Sequence, residues 1–248
     1  MNALKYLLVI ATFMLAPTLN AAEVFVSHYE TLHGMTAYAA DSDSANSRRE
    51  LRRDARAVLH FEALGRSFDL NLEPNDRLLA AMPADAAFES VYAYRGQLAG
   101  NPDSWVRIVM FEGMPRGLIW DGETMFAIEA PGDSAVEISS PVIYRLADLN
   151  IVPGTMSCGT TSLGNNAAQA FANMERELGA ASTQAAGAVT EITMGVVTDA
   201  LFTSAMGGNA AAAAAVTARF SNIDGWYSEQ VGIQVNVQRI DTFDNASD

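Results

Sequence analysis

Apolar and polar residues alternate along most of the chain from Glu23 to about Pro153, in short runs separated by turn-forming residues. A period of two is typical of strands with one buried face. Gly113-Met114-Pro115 and Asp121-Gly122 are turn sequences between neighbouring runs. The pattern therefore predicts an antiparallel β domain. Its predicted strands are Glu23–His28, Ala57–Glu62, Ser67–Leu72, Ser90–Tyr94, Trp105–Glu112, Arg116–Asp121, Thr124–Glu129 and Val142–Arg145.

The pattern changes after residue 189 to that of a strand, a helix and a strand. Ile192–Thr198 and Ile233–Ile240 are strand-like, and Asn209–Gln230 has helical periodicity. Two parallel strands joined by a crossover helix open an α/β layer, which cannot bury both faces alone. The predicted fold class is therefore α+β, with a β-rich domain before an α/β domain cut short at Asp248. The predicted buried stripe of the helix is Val216, Phe220, Ile223, Tyr227 and Val231.

Composition divides the chain into four segments. Residues 155–188 are rich in Gly, Ser, Asn, Gln, Thr and Ala, and they are predicted to form a linker with one short helix at Ala167–Leu178. The charged segment Asp41–Asp54 is predicted to be a solvated loop or short helix. The predicted boundaries are 1–22 for a leader, 23–154 for the β-rich domain, 155–188 for the linker and 189–248 for the α/β part.

The first 22 residues have the features of a secretory signal peptide. Lys5 precedes an apolar run from Tyr6 to Ala16, and small residues follow at Ala21 and Ala22. The apolar run is shorter than the roughly 20 residues that a membrane-spanning helix needs. We therefore expect a secreted, extracellular protein of bacterial type, with no membrane span after the signal peptide is removed.

The charge of the chain argues against nucleic acid as a partner. Lys5 is the only lysine, so the exported product carries 14 arginines against 29 acidic residues. Such an excess of negative charge repels a phosphate backbone. Apolar residues make up 50% of the composition, which is enough for a sizeable hydrophobic core.

Cys158 is the one candidate site residue. It is the only cysteine, so it forms no internal disulfide. Its thiol is therefore packed in the core, forms an intermolecular disulfide or has a functional role. The histidines, His28, His33 and His60, all precede it, and their spacing fits no common zinc pattern. The sequence also lacks a phosphate-binding glycine loop. No catalytic or cofactor-binding residue is predicted.

Several segments, taken in order, resemble the reprolysin, or ADAM-type, zinc metalloendopeptidases. Those before residue 132 are similar to strand motifs of reprolysin pro-regions, and those after residue 191 to the first strand, helix and second strand of the metzincin catalytic domain. The matching segments are Phe61–Leu72, Tyr94–Val106, Gly117–Ile119, Ile128–Pro131, Ile192–Asp199, Phe220–Tyr227 and Val231–Val237.

The resemblance implies a secreted zinc metalloendopeptidase precursor that acts on protein or peptide substrates and is kept latent by its own pro-region. Cys158, within Met156-Ser157-Cys158-Gly159, matches the family's cysteine switch, whose thiolate fills the open position of the catalytic Zn²⁺. Residues 189–248 are then a truncated metzincin opening. The family's H-E-x-x-H-x-x-G-x-x-H motif is absent, so we expect the Zn²⁺ ligands to lie beyond Asp248 and this fragment alone to be inactive.

Two alternatives remain open. The chain is a non-catalytic exported β-rich binding module, in which Cys158 is only a small buried hydrophobe. Alternatively, it inhibits a protease in trans, because it retains both the pro-region and the switch. The sequence predicts neither the substrate preference nor the activating protease, and it predicts no calcium site.

Overall fold

The fold is given by a computed structural model that describes residues 24–39, 55–80, 88–131, 138–151, 176 and 190–244. Three helices are described, α1 (Asp76–Leu79), α2 (Ala200–Met206) and α3 (Asn209–Val231), with a short 3-10 helix at Leu146–Asp148. The strands are β1 (Val24–Val26), β2 (Glu30–Thr31), β3 (Thr36–Ala39), β4 (Ala57–Ala63), β5 (Arg66–Pro74), β6 (Val91–Leu98), β7 (Trp105–Phe111), β8 (Met114–Trp120), β9 (Met125–Glu129), β10 (Val142–Arg145), β11 (Leu149–Ile151), β12 (Thr190–Thr198) and β13 (Ile233–Thr242).

Nine strands form one antiparallel sheet in the order β2-β10-β9-β8-β7-β6-β5-β4-β3, and this sheet curls into a half-barrel. From β3 to β10 each strand pairs with the next strand along the chain, so short turns are enough to connect paired strands. Leu64-Gly65 and Glu112-Gly113 are two-residue turns in which both residues have positive φ. Such turns match the twist of paired strands and fix their register.

The inner face of the half-barrel holds the main hydrophobic core. Side chains alternate along a strand, so Val106 and Ile108 of β7 point inward while their neighbours point outward. Phe68 stacks on Phe61 with ring centroids 4.9 Å apart and meets Phe126 edge-on at 5.2 Å. All buried members of this core come from residues 32–143. The described residues after 190 are therefore not needed to close it.

The outer face of the sheet is covered in two places. Over β6 and β7, Val91, Ala93 and Val109 pack with residues of α1, α3 and β13. Over β8, β9 and β10, a second cluster packs against Leu149 of the two-stranded β1–β11 sheet and against Trp226 of α3. The outer face of β5 is polar and remains partly open. It forms one wall of a groove beside the end of α3.

Helix α3 packs on the sheet through small residues. Ala212–Ala215 and Ala218 are all buried, and Ala213, Ala214 and Ala218 pack in the cluster that covers the outer face of β6 and β7. Alanine has the highest helix propensity and a short side chain, so a run of it both forms a helix and lets its backbone approach β7. Gly232 ends the helix at a φ of 67°, the left-handed conformation typical of a C-terminal cap.

The apolar stripe predicted for this helix is wrong in its C-terminal half. Ile223, Tyr227 and Val231 are 37%, 50% and 59% exposed. Periodicity identifies the helix but not its buried side. The buried polar residues of the helix are Thr217, Ser221 and Asp224, and of these Asp224 forms hydrogen bonds with other elements.

The predicted α+β fold class, with a truncated metzincin opening as its second part, is wrong. The described part of the chain is β-rich, with 49% strand against 25% helix, and its main element is the curled nine-stranded sheet. Strands β12 and β13 are parallel, but the helix between them packs on the outer face of the half-barrel instead of within a separate α/β layer. A two-stranded sheet leaves much of a helix uncovered, and the outer face of β6 and β7 supplies the missing apolar surface.

Several sequence predictions lie outside the described residues. They are the signal peptide, the charged segment Asp41–Asp54 and, apart from residue 176, the linker with Cys158. The predicted domain boundaries stay predictions. Within the described part of the chain, no helix combines the length and apolar character that crossing a bilayer requires.

Gly225 marks a close approach of α3 to the sheet. A Cβ atom at this position would lie 2.6 Å from the Trp105 ring and 2.9 Å from Cγ of Arg107. We expect Gly225→Ala to lower the free energy of unfolding by about 1–2 kcal/mol, because overpacking costs about 1–3 kcal/mol and the better helix propensity of alanine offsets only part of that. Denaturant unfolding measures the change.

The matched control is Gly195→Ala on β12, where an added Cβ has no atom within 4 Å. This substitution should change the free energy of unfolding by less than about 0.5 kcal/mol. A Gly225→Ala variant as stable as the wild type would contradict the close approach of α3 to the sheet at this position.

Tyr144 of β10 makes the outer-face cluster sensitive to high pH. Burial raises the pKa of its phenol far above the ordinary value of 10.0, and the negative charge of Glu129, which accepts its hydrogen bond at 2.7 Å, raises it further. The folded protein therefore keeps the phenol neutral where the unfolded chain ionises it. This contribution to stability is complete below pH 10 and is lost above it, by up to about 1.4 kcal/mol per pH unit.

Tyr144→Phe should remove this part of the alkaline loss of stability. Between about pH 10 and pH 11.5, the free energy of unfolding of the wild type should fall more steeply than that of the variant. Tyr227→Phe, at a half-exposed position, is the control and should keep the wild-type slope. Parallel slopes for the wild type and Tyr144→Phe would exclude the buried phenol as the cause.

Candidate functional site

The residues considered from the sequence as metal ligands form no site in the described part of the chain. Cys158 lies outside that part, and His28 and His33 are exposed. His60 hydrogen-bonds through Nδ1 to Asp69 at 2.8 Å, between partly exposed side chains on adjacent strands. No three His, Cys, Asp or Glu side chains among the described residues could together hold a metal ion. These residues therefore do not fit a zinc centre, and no zinc chemistry is assigned to them.

Asp224 on α3 is fully buried and connects four elements. Its carboxylate accepts hydrogen bonds from Nη2 of Arg77 on α1 at 3.2 Å and from Nε of Arg107 on β7 at 3.4 Å. The backbone N–H of Val235 on β13 donates a third at 3.1 Å. We call Arg77, Arg107 and Asp224 the Asp224 clamp. It ties α3 at one point to the short helix, the nine-stranded sheet and the last strand.

Arg107 is the buried cation of the clamp. Nη1 donates to the carbonyl of Val106, and Nη2 donates to the hydroxyl of Ser228 at 3.1 Å and to Glu229 at 3.5 Å. Burial lowers the pKa of the guanidinium, whereas the charges of Asp224 and Glu229 raise it. Removing an ion from water costs several kcal/mol, so a buried arginine is stable only while such partners are in place.

A groove of about 660 Å³ opens beside the clamp. It lies between the outer face of β5 and β6 and the C-terminal end of α3, and we call it the arginine groove. Four of the 14 arginines of the chain line it, in contrast to a net charge of −14 for the whole sequence. The charged lining residues are Arg56, Arg77, Arg95, Arg107, Glu73 and Glu229.

Three of these charged residues form a row across the sheet. Glu73 of β5 pairs directly with Arg95 of β6, which pairs directly with Arg107 of β7. Directly opposite residues have Cβ atoms about 4.5–5.5 Å apart, and like charges in such positions destabilise a sheet. Nε of Arg95 donates to Glu73 at 2.9 Å. The adjacent arginines are tolerated because Glu73 neutralises Arg95 and Asp224 neutralises Arg107.

Sequence reasoning missed both the clamp and the groove, although a signal for the clamp is present. Arg107 interrupts the apolar run of β7, whereas Asp224 lies in a stretch of α3 that mixes polar and apolar residues. Buried charges are normally paired, so a lone arginine in a buried strand indicates an acidic partner elsewhere in the fold. The sequence does not identify the partners, because these two residues are 117 positions apart.

Comparisons with known proteins add no assignment. No protein-family model and no curated protein matches this chain.

Asp224→Asn is expected to lower the free energy of unfolding by about 3 kcal/mol, because it leaves Arg107 buried without its principal charge partner. The control is Asp241→Asn, whose partner Arg239 is an exposed side chain 2.7 Å away. Exposed pairs contribute about 0–1 kcal/mol. Denaturant unfolding compares the two, and an equal loss in both variants would show that the clamp does not hold the helix to the sheet.

Proposed function

We propose that the chain is the amino-terminal, non-catalytic part of a secreted zinc metalloendopeptidase precursor, with the half-barrel as its inhibitory pro-region. In this proposal the half-barrel binds the segment that follows it, and Cys158 supplies the thiol that maintains latency. The catalytic Zn²⁺ ligands belong to residues that are not part of this sequence. The substrates of the mature enzyme are proteins or peptides.

The observation that carries the proposal is the buried contact between the half-barrel and residues 190–244. A pro-region can inhibit only while it stays bound to the segment after it. Here the Asp224 clamp provides a buried ion pair for that binding. Trp105 of β7 also meets Trp226 of α3 edge-on, with ring centroids 6.3 Å apart. Polar and apolar contacts thus both hold residues 190–244 against the half-barrel.

The position of Cys158 in the chain agrees with this role. It lies in the connection between the end of β11 at Ile151 and the start of β12 at Thr190. A thiol in this connection is tethered to the half-barrel on one side and to the bound segment on the other. Proteolysis of the connection removes one tether while the clamp stays intact.

The test is to read the coding frame past Asp248 and to express the full product with and without Cys158→Ala. We expect the frame to encode H-E-x-x-H-x-x-G-x-x-H, and we expect the variant to cleave a protein substrate at least about tenfold faster than the unprocessed wild type, because the latency thiol is absent. Ser157→Ala is the matched control and should remain latent.

A frame without the three-histidine motif would refute the proposal and would favour an exported β-rich binding or inhibitory module. The proposal also fails if Cys158→Ala stays as inactive as the unprocessed wild type while the processed wild type is active. The processed wild type therefore has to be assayed beside both variants.

A further inference from the structure

The arginine groove has more positive charge than the Asp224 clamp requires. Its lining and the carboxylate behind it contain four arginines and three acidic residues, Glu73, Glu229 and Asp224. One positive charge is left unbalanced in a chain whose other charges are mostly negative. We propose that this groove binds a carboxylate group, carried by a peptide or by a small organic acid. The proposal does not depend on the peptidase assignment.

Three of the four arginines keep donors that the described residues do not use. Nη1 of Arg77 is buried and has no hydrogen-bond partner among the described residues. Among the described residues, Arg95 donates through Nε alone, to Glu73, and its side chain is partly exposed. Arg56 is exposed and contacts Glu73 at 3.8 Å. Arg107, in contrast, has all three of its nitrogens engaged and is structural.

The chemistry of these donors favours a carboxylate. Guanidinium groups present paired N–H donors whose spacing matches the two oxygens of a carboxylate. A bound carboxylate would also relieve the repulsion between Arg95 and Arg107, which face each other on adjacent strands. A phosphate dianion fits less well, because it brings two negative charges to a groove with one unbalanced positive charge, next to Glu73 and Glu229.

The test is a titration of the whole exported chain, residues 23–248, followed by NMR of its arginine side-chain N–H groups. The probes are the blocked peptide Gly-Gly-Glu-Gly-Gly, the same peptide with Gln in place of Glu, butyrate and inorganic phosphate. We expect the Glu peptide or butyrate to shift the Arg77 and Arg95 resonances in a saturable way. The Gln peptide should cause no saturable shift, and phosphate should bind more weakly than the carboxylates.

Arg95→Gln should weaken the binding by about tenfold, because it removes the charge and the N–H donors of Nη1 and Nη2. Arg56→Gln changes an exposed side chain and should weaken binding in the same direction even if Arg95→Gln impairs folding. Arg145→Gln, on β10 and separated from β6 by three strands, is the matched control and should leave the Kd unchanged within about twofold.

The probes also distinguish the source of the carboxylate. Binding of the Glu peptide at least about tenfold tighter than butyrate identifies a peptide ligand, whereas equal affinities identify a small organic acid. The proposal is overturned if neither carboxylate binds, if the Gln peptide binds as well as the Glu peptide, or if Arg56→Gln and Arg95→Gln both keep the wild-type Kd.

Discussion

A carboxylate with no exposure to solvent needs a partner for each of its oxygens, and Asp224 finds its partners on three other elements. Arg77, Arg107 and the Val235 amide approach it from α1, β7 and β13. Such a group is costly to bury and costlier to leave unpaired, so its neighbours have little freedom to move. The position of α3 on the half-barrel, and with it the position of the last strand, depends on this one side chain.

The small residues of α3 make that ion pair geometrically possible. Asp224 has a short side chain, so its carboxylate reaches Arg107 only if the helix backbone lies close to β7. Gly225 permits this approach, since even a Cβ atom there would press on the Trp105 ring. The buried alanines from Ala212 to Ala218 continue the same close contact toward the N-terminal end of the helix. Electrostatics and packing therefore select the same face of α3.

Local patterns predicted most strands and the long helix α3, but they missed β2, β3, β11, α1 and α2 and did not predict how the elements pack together. The alternation of β4 and β5 and the glycine turn between them are local features, and the strands lie where the pattern predicts them. The fold class failed because the buried side of α3 depends on Arg107, 117 residues away. The arginine groove was missed for a related reason, since Arg56, Arg77 and Arg95 approach one another only after β4, α1 and β6 have folded. Cys158 lies outside the described residues.

In the proposed precursor, two properties depend on different parts of the structure: the continuity of the chain and the binding of the half-barrel to residues 190–244. Continuity is carried by the connection between Ile151 and Thr190, and binding by contacts of β7 with α3. Cutting the connection removes no member of the clamp and no residue of the inner core. Dissociation is then a separate step, because it must part Asp224 from Arg77 and Arg107 and expose the apolar outer face of β6 and β7 to water. In a precursor of this kind, latency would therefore be lost in two steps, cleavage first and dissociation of the half-barrel second.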